Sequence, residues 1–165
     1  MKNKKTLYLT QAAMIAALYV LLTWLANFLG LASQAVQVRF SEALTILPFF
    51  TPAAIPGLTA GCLLSNLLTG AILPDIIFGS LATLLGALGT WALKRTKIKW
   101  FAPLPPIAAN TLIVPFILSY GYHFPGAIWY FMVTVGAGEV ISCGILGLLL
   151  MIPLEKNKRI FKTDY

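Results

Sequence analysis

Two long stretches of the chain, residues 6–93 and 100–154, contain very few charged side chains. The charged residues within them are Arg39, Glu42, Asp75 and Glu139. Soluble domains carry about 25% charged residues, whereas this chain carries 10% and is 59% hydrophobic. A soluble core of 165 residues could not bury so much apolar surface, so the lipid bilayer is the expected solvent.

Most of the basic residues gather in three clusters beside the apolar stretches, as topology determinants do. They lie at the N-terminus, in the segment KRTKIKW (94–100) and at the C-terminus. We predict an all-α integral membrane protein, a single domain over residues 1–165 with six transmembrane helices. Both termini and the 94–100 loop are then cytoplasmic, whereas five or seven helices would leave one cluster outside. The clusters account for the net charge of +7 without a nucleic-acid partner.

Apolar runs and helix-breaking residues predict the approximate bounds of the six helices. These bounds are 7–29, 41–50, 57–68, 74–93, 105–118 and 126–153. The second and third helices are too short to cross about 30 Å of hydrocarbon as straight rods. The segment PFFTPAAIPG between them is rich in proline, so its backbone needs protein or water as hydrogen-bond partners. Such an interruption is typical of a ligand site, and a bent hairpin that only packs fits the pattern equally well.

Glu139 is predicted near the middle of the sixth helix, where a carboxylate costs roughly 2.5–3.5 kcal/mol to insert. It shares a helix face with Gly136, Cys143 and Gly147, and a stripe of small residues packs against neighbouring helices. Asn110 is predicted at a similar depth in the fifth helix. Together the two side chains offer donors and acceptors that suit a flat polar heterocycle. Hydrogen bonding between helices is the structural alternative for both.

Further candidate binding residues lie toward the predicted outer face. Arg39 and Glu42 stand three residues apart at the start of the second helix, where a polar ligand would enter; an ion pair that fixes the loop is the alternative. Asn66, near the outer end of the third helix, is a weaker candidate. Trp129 and Tyr120 are candidates for stacking on the ligand, against the alternative of an interfacial aromatic belt.

The remaining polar residues and motifs argue against an enzyme. Asp75 suits the first turn of the fourth helix, and Cys62 and Cys143 resemble small buried side chains in apolar runs. His123 is the only histidine, so neither a metal site nor a cofactor is expected. The sequence lacks the motifs G-x-x-x-x-G-K-[ST], H-E-x-x-H and G-x-S-x-G. ATP hydrolysis by the first of these routes is therefore excluded.

The segment QAAMIAALYV of the first helix contains two overlapping A-x-x-x-A pairs, Ala12 with Ala16 and Ala13 with Ala17. Such pairs let another helix approach closely. Together with the six helices, the cytoplasmic termini and an outward pocket, they resemble the substrate-binding S components of energy-coupling factor (ECF) transporters. Within that group, RFSEALTILPFFTPAAIPGLTAGCLLSNLLTG resembles the QueT family.

The resemblance implies a function in nutrient uptake across a bacterial cell membrane. The S component binds a queuosine precursor outside, preQ1 (7-aminomethyl-7-deazaguanine) or a close relative. It then docks through the four alanines on a transmembrane scaffold, the T component, which two ATPase subunits drive. Glu139, Asn110, Arg39 and Glu42 contain the donors and acceptors that this ligand needs. The sequence does not choose among preQ0, preQ1 and queuine.

Two other functions are compatible with the sequence. A proton-coupled secondary transporter of a small polar solute would use Glu139 as the coupling group, although the two halves of the chain show no internal repeat. A purely structural membrane subunit is the second alternative. Binding of a flat base without ATP is expected of a capture subunit and not of a structural one.

Overall fold

The structure, a computed structural model, describes residues 4–31, 36–96 and 98–157. Parts of the predicted basic clusters and of the loop after the first helix lie outside these ranges, namely Lys2, Lys97, Lys158, Arg159, Lys162 and residues 32–35. The described part of the chain is helical and contains no strand. The prediction of an all-helical protein is therefore confirmed.

Six helical segments follow one another within the described residues. They are Lys4–Phe28, Phe40–Phe49, Ala54–Leu68, Asp75–Thr96, Lys99–Gly121 and Ile128–Lys156, called here the first to the sixth helix. The first, fourth, fifth and sixth are long and apolar enough to cross a membrane, whereas the second and third are shorter. The number of helices agrees with the six that the sequence predicts. The fifth begins earlier than predicted, because the 3₁₀ turn Lys99–Phe101 precedes its α-helical part.

The second helix is a 3₁₀ helix over all ten of its residues, which the sequence did not predict. Runs of this kind longer than three or four residues are uncommon. Pro48 lies inside it and lacks the N–H that an α-helical hydrogen bond requires. Residues 41–48 are all buried, and the helix packs against the first, third, fourth and sixth helices. The shortest helix therefore occupies the centre of the bundle.

Glycines let the first and third helices pack at short range. A Cβ atom at Gly57 would lie 2.7 Å from the carbonyl oxygen of Ala12, and one at Gly61 would lie 3.1 Å from Cα of Ala16. One alanine pair of the first helix is therefore packed within the chain. The other pair, Ala13 and Ala17, is exposed.

The fourth, fifth and sixth helices each contain a stretch of π-helix. These stretches are Asp75–Gly79, Ile117–Gly121 and Val140–Leu146. Local π-helix is frequent at functional sites, because the wider turn redirects side chains. The stretch in the fourth helix begins at Asp75, and the stretch in the fifth helix ends just before Tyr122. The stretch in the sixth helix begins just after Glu139. All three of these residues belong to the site described next.

Candidate binding site

A cavity of about 780 Å³ opens at the end of the bundle that carries residues 69–74 and the loop 122–127. Its volume falls in the range of small-molecule sites, about 300–1,000 Å³. The first, third, fourth, fifth and sixth helices and the loop before the second helix line it. The polar side chains in its wall are Thr23, Asn27, Gln37, Arg39, Asn66, Thr69, Asp75, Tyr122, Tyr130 and Thr134.

Asp75 is held in the cavity wall by hydrogen bonds from two other segments. Its Oδ2 accepts a hydrogen bond from the Tyr122 hydroxyl at 2.9 Å, and its backbone oxygen accepts one from Nδ2 of Asn66 at 3.2 Å. Burial and the neighbouring Asp75 carboxylate raise the pKa of the Tyr122 hydroxyl, so this group remains a donor at neutral pH. Asn66, predicted as a weak candidate, thus both lines the cavity and positions the start of the fourth helix.

Arg39 contributes the positive charge of the cavity wall. Its backbone N–H donates to Oγ of Ser142 at 3.1 Å, and its Nη2 donates to Oε1 of Gln37 at 3.4 Å. Among the described residues the one ion pair joins Lys99 and Glu155. The alternative explanation of Arg39 and Glu42, an ion pair between them, is therefore not what the structure shows.

Glu42, Asn110 and Glu139, which lie far apart in the sequence, come together in a buried cluster. Glu42 is 2% exposed and Glu139 is 8% exposed. The Tyr19 hydroxyl donates to Oε1 of Glu42, and Sγ of Cys143 donates to Oε2 of Glu139 at 3.1 Å. The Asn110 amide lies close enough to interact with both carboxyl groups. Buried polar groups need such partners, because an unpaired one costs several kcal/mol.

The buried cluster lies directly beneath the cavity. Each of its members is three or four residues from a cavity-lining residue on the same segment: Tyr19 from Thr23, Glu42 from Arg39, Asn110 from Val114, and Glu139 from Val135. That spacing is about one helical turn, or roughly 5–6 Å along the axis. On all four segments the cluster residue is the one farther from the cavity opening. The cluster therefore forms a polar layer one turn below the cavity.

The stripe of small residues predicted on the sixth helix does face protein. Cys143 is fully buried, and a Cβ atom at Gly147 would lie 3.1 Å from Cγ2 of Ile46. A Cβ atom at Gly136 would lie 3.4 Å from the Thr111 side chain. This packing turns Glu139 toward the second and fifth helices.

Trp129 and Tyr120, the predicted stacking residues, do not line the cavity. Their side chains are 69% and 67% exposed. Tyr120 instead borders a second, smaller and mostly apolar hollow of about 390 Å³ on the surface of the bundle. The aromatic side chains in the wall of the main cavity are Trp24, Tyr122, Phe124, Tyr130 and Phe131.

The cavity wall contains candidate binding residues that the sequence did not identify. Asp75 was explained as a first-turn acid and is also part of the wall. A signal for it was present, because it is one of four isolated charges in the apolar stretches. No comparable signal marked Asn27, near the end of the first helix, or Gln37, in the loop before the second helix, because polar residues are ordinary at such positions.

One group of side chains has the geometry to hold a metal ion. Within the described residues, one oxygen each of Glu42 and Glu139 and Sγ of Cys143 all lie within 4.8 Å of one another. Tyr19 and Cys143, however, direct hydrogen-bond donors at the two carboxyl groups. Carboxyl groups that accept hydrogen bonds in this way suit a ligand with N–H donors. That this protein binds no metal ion remains a prediction.

Comparison with known proteins identifies the family of this chain. The family model described as QueT transporter matches residues 9–156. The chain is 36% identical over 102 residues to a protein of Lactococcus lactis subsp. cremoris (strain MG1363) named Queuosine precursor transporter QueT. That alignment covers 61% of this chain and 60% of the relative. No solved structure matches the chain. Since the family model spans most of its length, the chain belongs to the QueT transporter family.

Proposed function

We propose that this protein binds a queuosine precursor at the outer face of the cell membrane as the S component of an ECF transporter. The observation that carries the proposal is the stacked arrangement of a polar cavity above a buried layer of two carboxyl groups and an amide. Membership in the QueT transporter family and the name of the Lactococcus relative support the choice of cargo.

The chemistry of a 7-deazaguanine matches this arrangement. Its N1–H and N2–H groups are donors on one edge, and the two oxygens of a carboxylate can each accept one of these hydrogen bonds. Its O6 is an acceptor, which Arg39 or Asn110 can satisfy. Glu139 is the better carboxylate for the base, because the Cys143 thiol that occupies it is a weak donor. Glu42 is already held by the stronger Tyr19 donor.

Ligand binding by the purified chain tests this function directly. We expect 7-aminomethyl-7-deazaguanine to bind one per chain in calorimetric titration, without ATP or any partner subunit. Adenine, which presents a different donor and acceptor pattern, is the control and should bind much more weakly. Absence of saturable binding by any of preQ0, preQ1 and queuine would contradict the proposal.

The exposed alanines define the surface that we assign to the scaffold subunit. Ala12 and Ala16 pack on the third helix, so we assign only the exposed Ala13 and Ala17 to the docking surface. A stripe of small side chains lets a scaffold helix approach closely, and the scaffold carries the ATPase subunits that this chain lacks.

Ala13→Trp is therefore expected to abolish assembly with the scaffold and ATPase subunits while ligand binding stays unchanged, because the indole prevents close helix approach. Co-purification of the subunits and titration of the ligand measure the two effects. Leu18→Trp, at an exposed position on another side of the first helix, is the matched control and should assemble normally. Normal assembly of Ala13→Trp would remove this surface from the proposal.

The predicted orientation places the 94–100 loop inside the cell and the 122–127 loop outside. Thr96 and Ala127 are both exposed, and the native thiols of Cys62 and Cys143 are buried. In intact cells we expect an impermeant thiol reagent to label Ala127→Cys and not Thr96→Cys; in lysed cells it should label both. The opposite pattern in intact cells would invert the topology.

A further inference from the structure

Two opposite charges face the same cavity without forming an ion pair. Arg39 and Asp75 both line the cavity. The only ion pair of the described chain lies elsewhere, between Lys99 and Glu155. Asp75 is buried and Arg39 is half-buried, and their hydrogen-bond partners, Tyr122 and Gln37, are uncharged. A charge removed from water is more stable beside an opposite charge. A ligand that lies between them can supply a partner to each.

Among Asp75, Glu42 and Glu139, only Asp75 lines the cavity, although its exposed fraction, 7%, is close to the 8% of Glu139. Glu42 and Glu139 lie one turn deeper. Within the described residues, the Tyr122 hydroxyl is the one donor to this carboxylate, and it occupies only Oδ2. Oδ1 lies beside Gly79, where a Cβ atom would be 3.0 Å away. The absence of a side chain at Gly79 lets the Asp75 carboxyl group and the Asn66 amide pack against the helix backbone, which holds the carboxyl group in place in the cavity wall.

We propose that Asp75, oriented by Tyr122, selects ligands that carry a primary ammonium group next to a carbonyl oxygen, with Arg39 as donor to that oxygen. This inference rests on the proposed function and specifies its ligand. A carboxylate and a guanidinium on one wall are complementary to a ligand edge that presents a cation and an acceptor.

Among queuosine precursors this edge distinguishes one chemical class from another. In 7-aminomethyl-7-deazaguanine the ammonium group at position 7 and the oxygen at position 6 lie on the same edge of the heterocycle. The N1–H and N2–H donors point away from position 7, which leaves them for the carboxyl groups beneath. The 7-cyano analogue has the same ring but a neutral nitrile, which gives Asp75 nothing to bind.

The test compares the amine and the nitrile on the wild-type chain and on Asp75→Asn. Hydrogen bonds to charged groups are worth enough for about a tenfold or larger preference. Wild type should therefore bind the amine at least about tenfold more tightly than the nitrile. Asp75→Asn should lose this preference through weaker amine binding alone, because its amide oxygen still accepts from Tyr122. Tyr122→Phe keeps the carboxylate but removes the hydrogen bond that orients it, so this variant should show a smaller preference for the amine than wild type and a larger one than Asp75→Asn.

Three results separate the possible failures. Equal affinity of wild type for amine and nitrile would overturn the role of Asp75 and leave the proposed function in place. The same would follow if Asp75→Asn weakened both ligands equally, with a lowered thermal midpoint pointing to a structural role. Failure of wild type to bind either compound, or queuine, would contradict the proposed function itself.

Discussion

Glu139→Gln is expected to weaken binding of 7-aminomethyl-7-deazaguanine by roughly thirtyfold or more. Removing one partner of a buried charged hydrogen bond typically costs about 2–5 kcal/mol, and 2 kcal/mol corresponds to about thirtyfold. Glu139 is buried one turn below the cavity, where the Cys143 thiol donates to it and the Asn110 amide lies close by. Base N–H groups can replace that thiol at little cost, and glutamine offers one acceptor where the carboxylate offers two.

The effect should depend on the ligand, which separates recognition from a structural role. An analogue without the 2-amino group lacks one of the two donors, so wild type should bind it weakly and Glu139→Gln should lose little further. Calorimetric titration of both ligands against both proteins measures this difference. If the variant is less stable but keeps the wild-type preference between the two ligands, Glu139 only joins helices and does not bind the base.

A matched control for this experiment is Cys143→Ala. It removes the thiol that donates to Glu139 and leaves the carboxyl group in place. Because a thiol is a weak donor, we expect affinity for the ligand to change by less than about tenfold. A loss as large as that of Glu139→Gln would show that packing around the cluster, rather than the carboxylate, controls binding.

Gly138→Ala is expected to displace the loop that contributes Gln37 and Arg39 to the cavity wall. A Cβ atom at position 138 would overlap the carbonyl oxygen of Gln37, so the loop backbone must move. Overpacking of this kind costs typically about 1–3 kcal/mol. Since Gln37 and Arg39 both line the cavity, the variant should lose thermal stability and about tenfold or more in ligand affinity. The thermal midpoint and a ligand titration measure the two losses.

Gly144→Ala, on the same helix, is the matched control for Gly138→Ala. Its Cβ atom would meet nothing closer than Cγ1 of Val140 at 3.8 Å, which is ordinary van der Waals contact. Alanine is also favoured over glycine within helices by about 0.5–1 kcal/mol. This variant should therefore be as stable as wild type and bind normally. Equal behaviour of the two alanine variants would contradict the close approach of the loop to Gly138.

The sequence analysis identified Asn110 and Glu139 as side chains at one depth, but it placed Glu42 with Arg39 at the mouth of the site and did not single out Tyr19. Glu42, Asn110 and Glu139 are isolated polar side chains in apolar runs. Each must find a partner inside the bundle, because lipid provides none. The partners in the structure include the Tyr19 hydroxyl and the Cys143 thiol as well as the cluster members themselves. The proximity of Asn110 to Glu139 could be expected from burial and chemistry. The position of Glu42 below the cavity, instead of at its mouth, results from the burial of the second helix in the bundle.

The rotation of each helix about its own axis, which decides the faces that contact protein and lipid, could not be predicted from burial and chemistry alone. In a soluble helix the apolar face marks the protein side, but here lipid and protein are both apolar and the pattern gives no direction. The sequence therefore could not say that Ala12 and Ala16 face the third helix while Ala13 and Ala17 are exposed. For the same reason it could not place Trp129 outside the cavity.

The sequence by itself determined the solvent, the number of helices and the polar residues that had to be buried, because charge and hydropathy are properties of the chain. Only the tertiary structure decided that the second helix is a central 3₁₀ helix and that Asp75 and Arg39 line the same cavity. Both depend on close packing between segments distant in sequence. Local propensity does not encode such contacts, since the neighbours that impose them are brought near only by the fold.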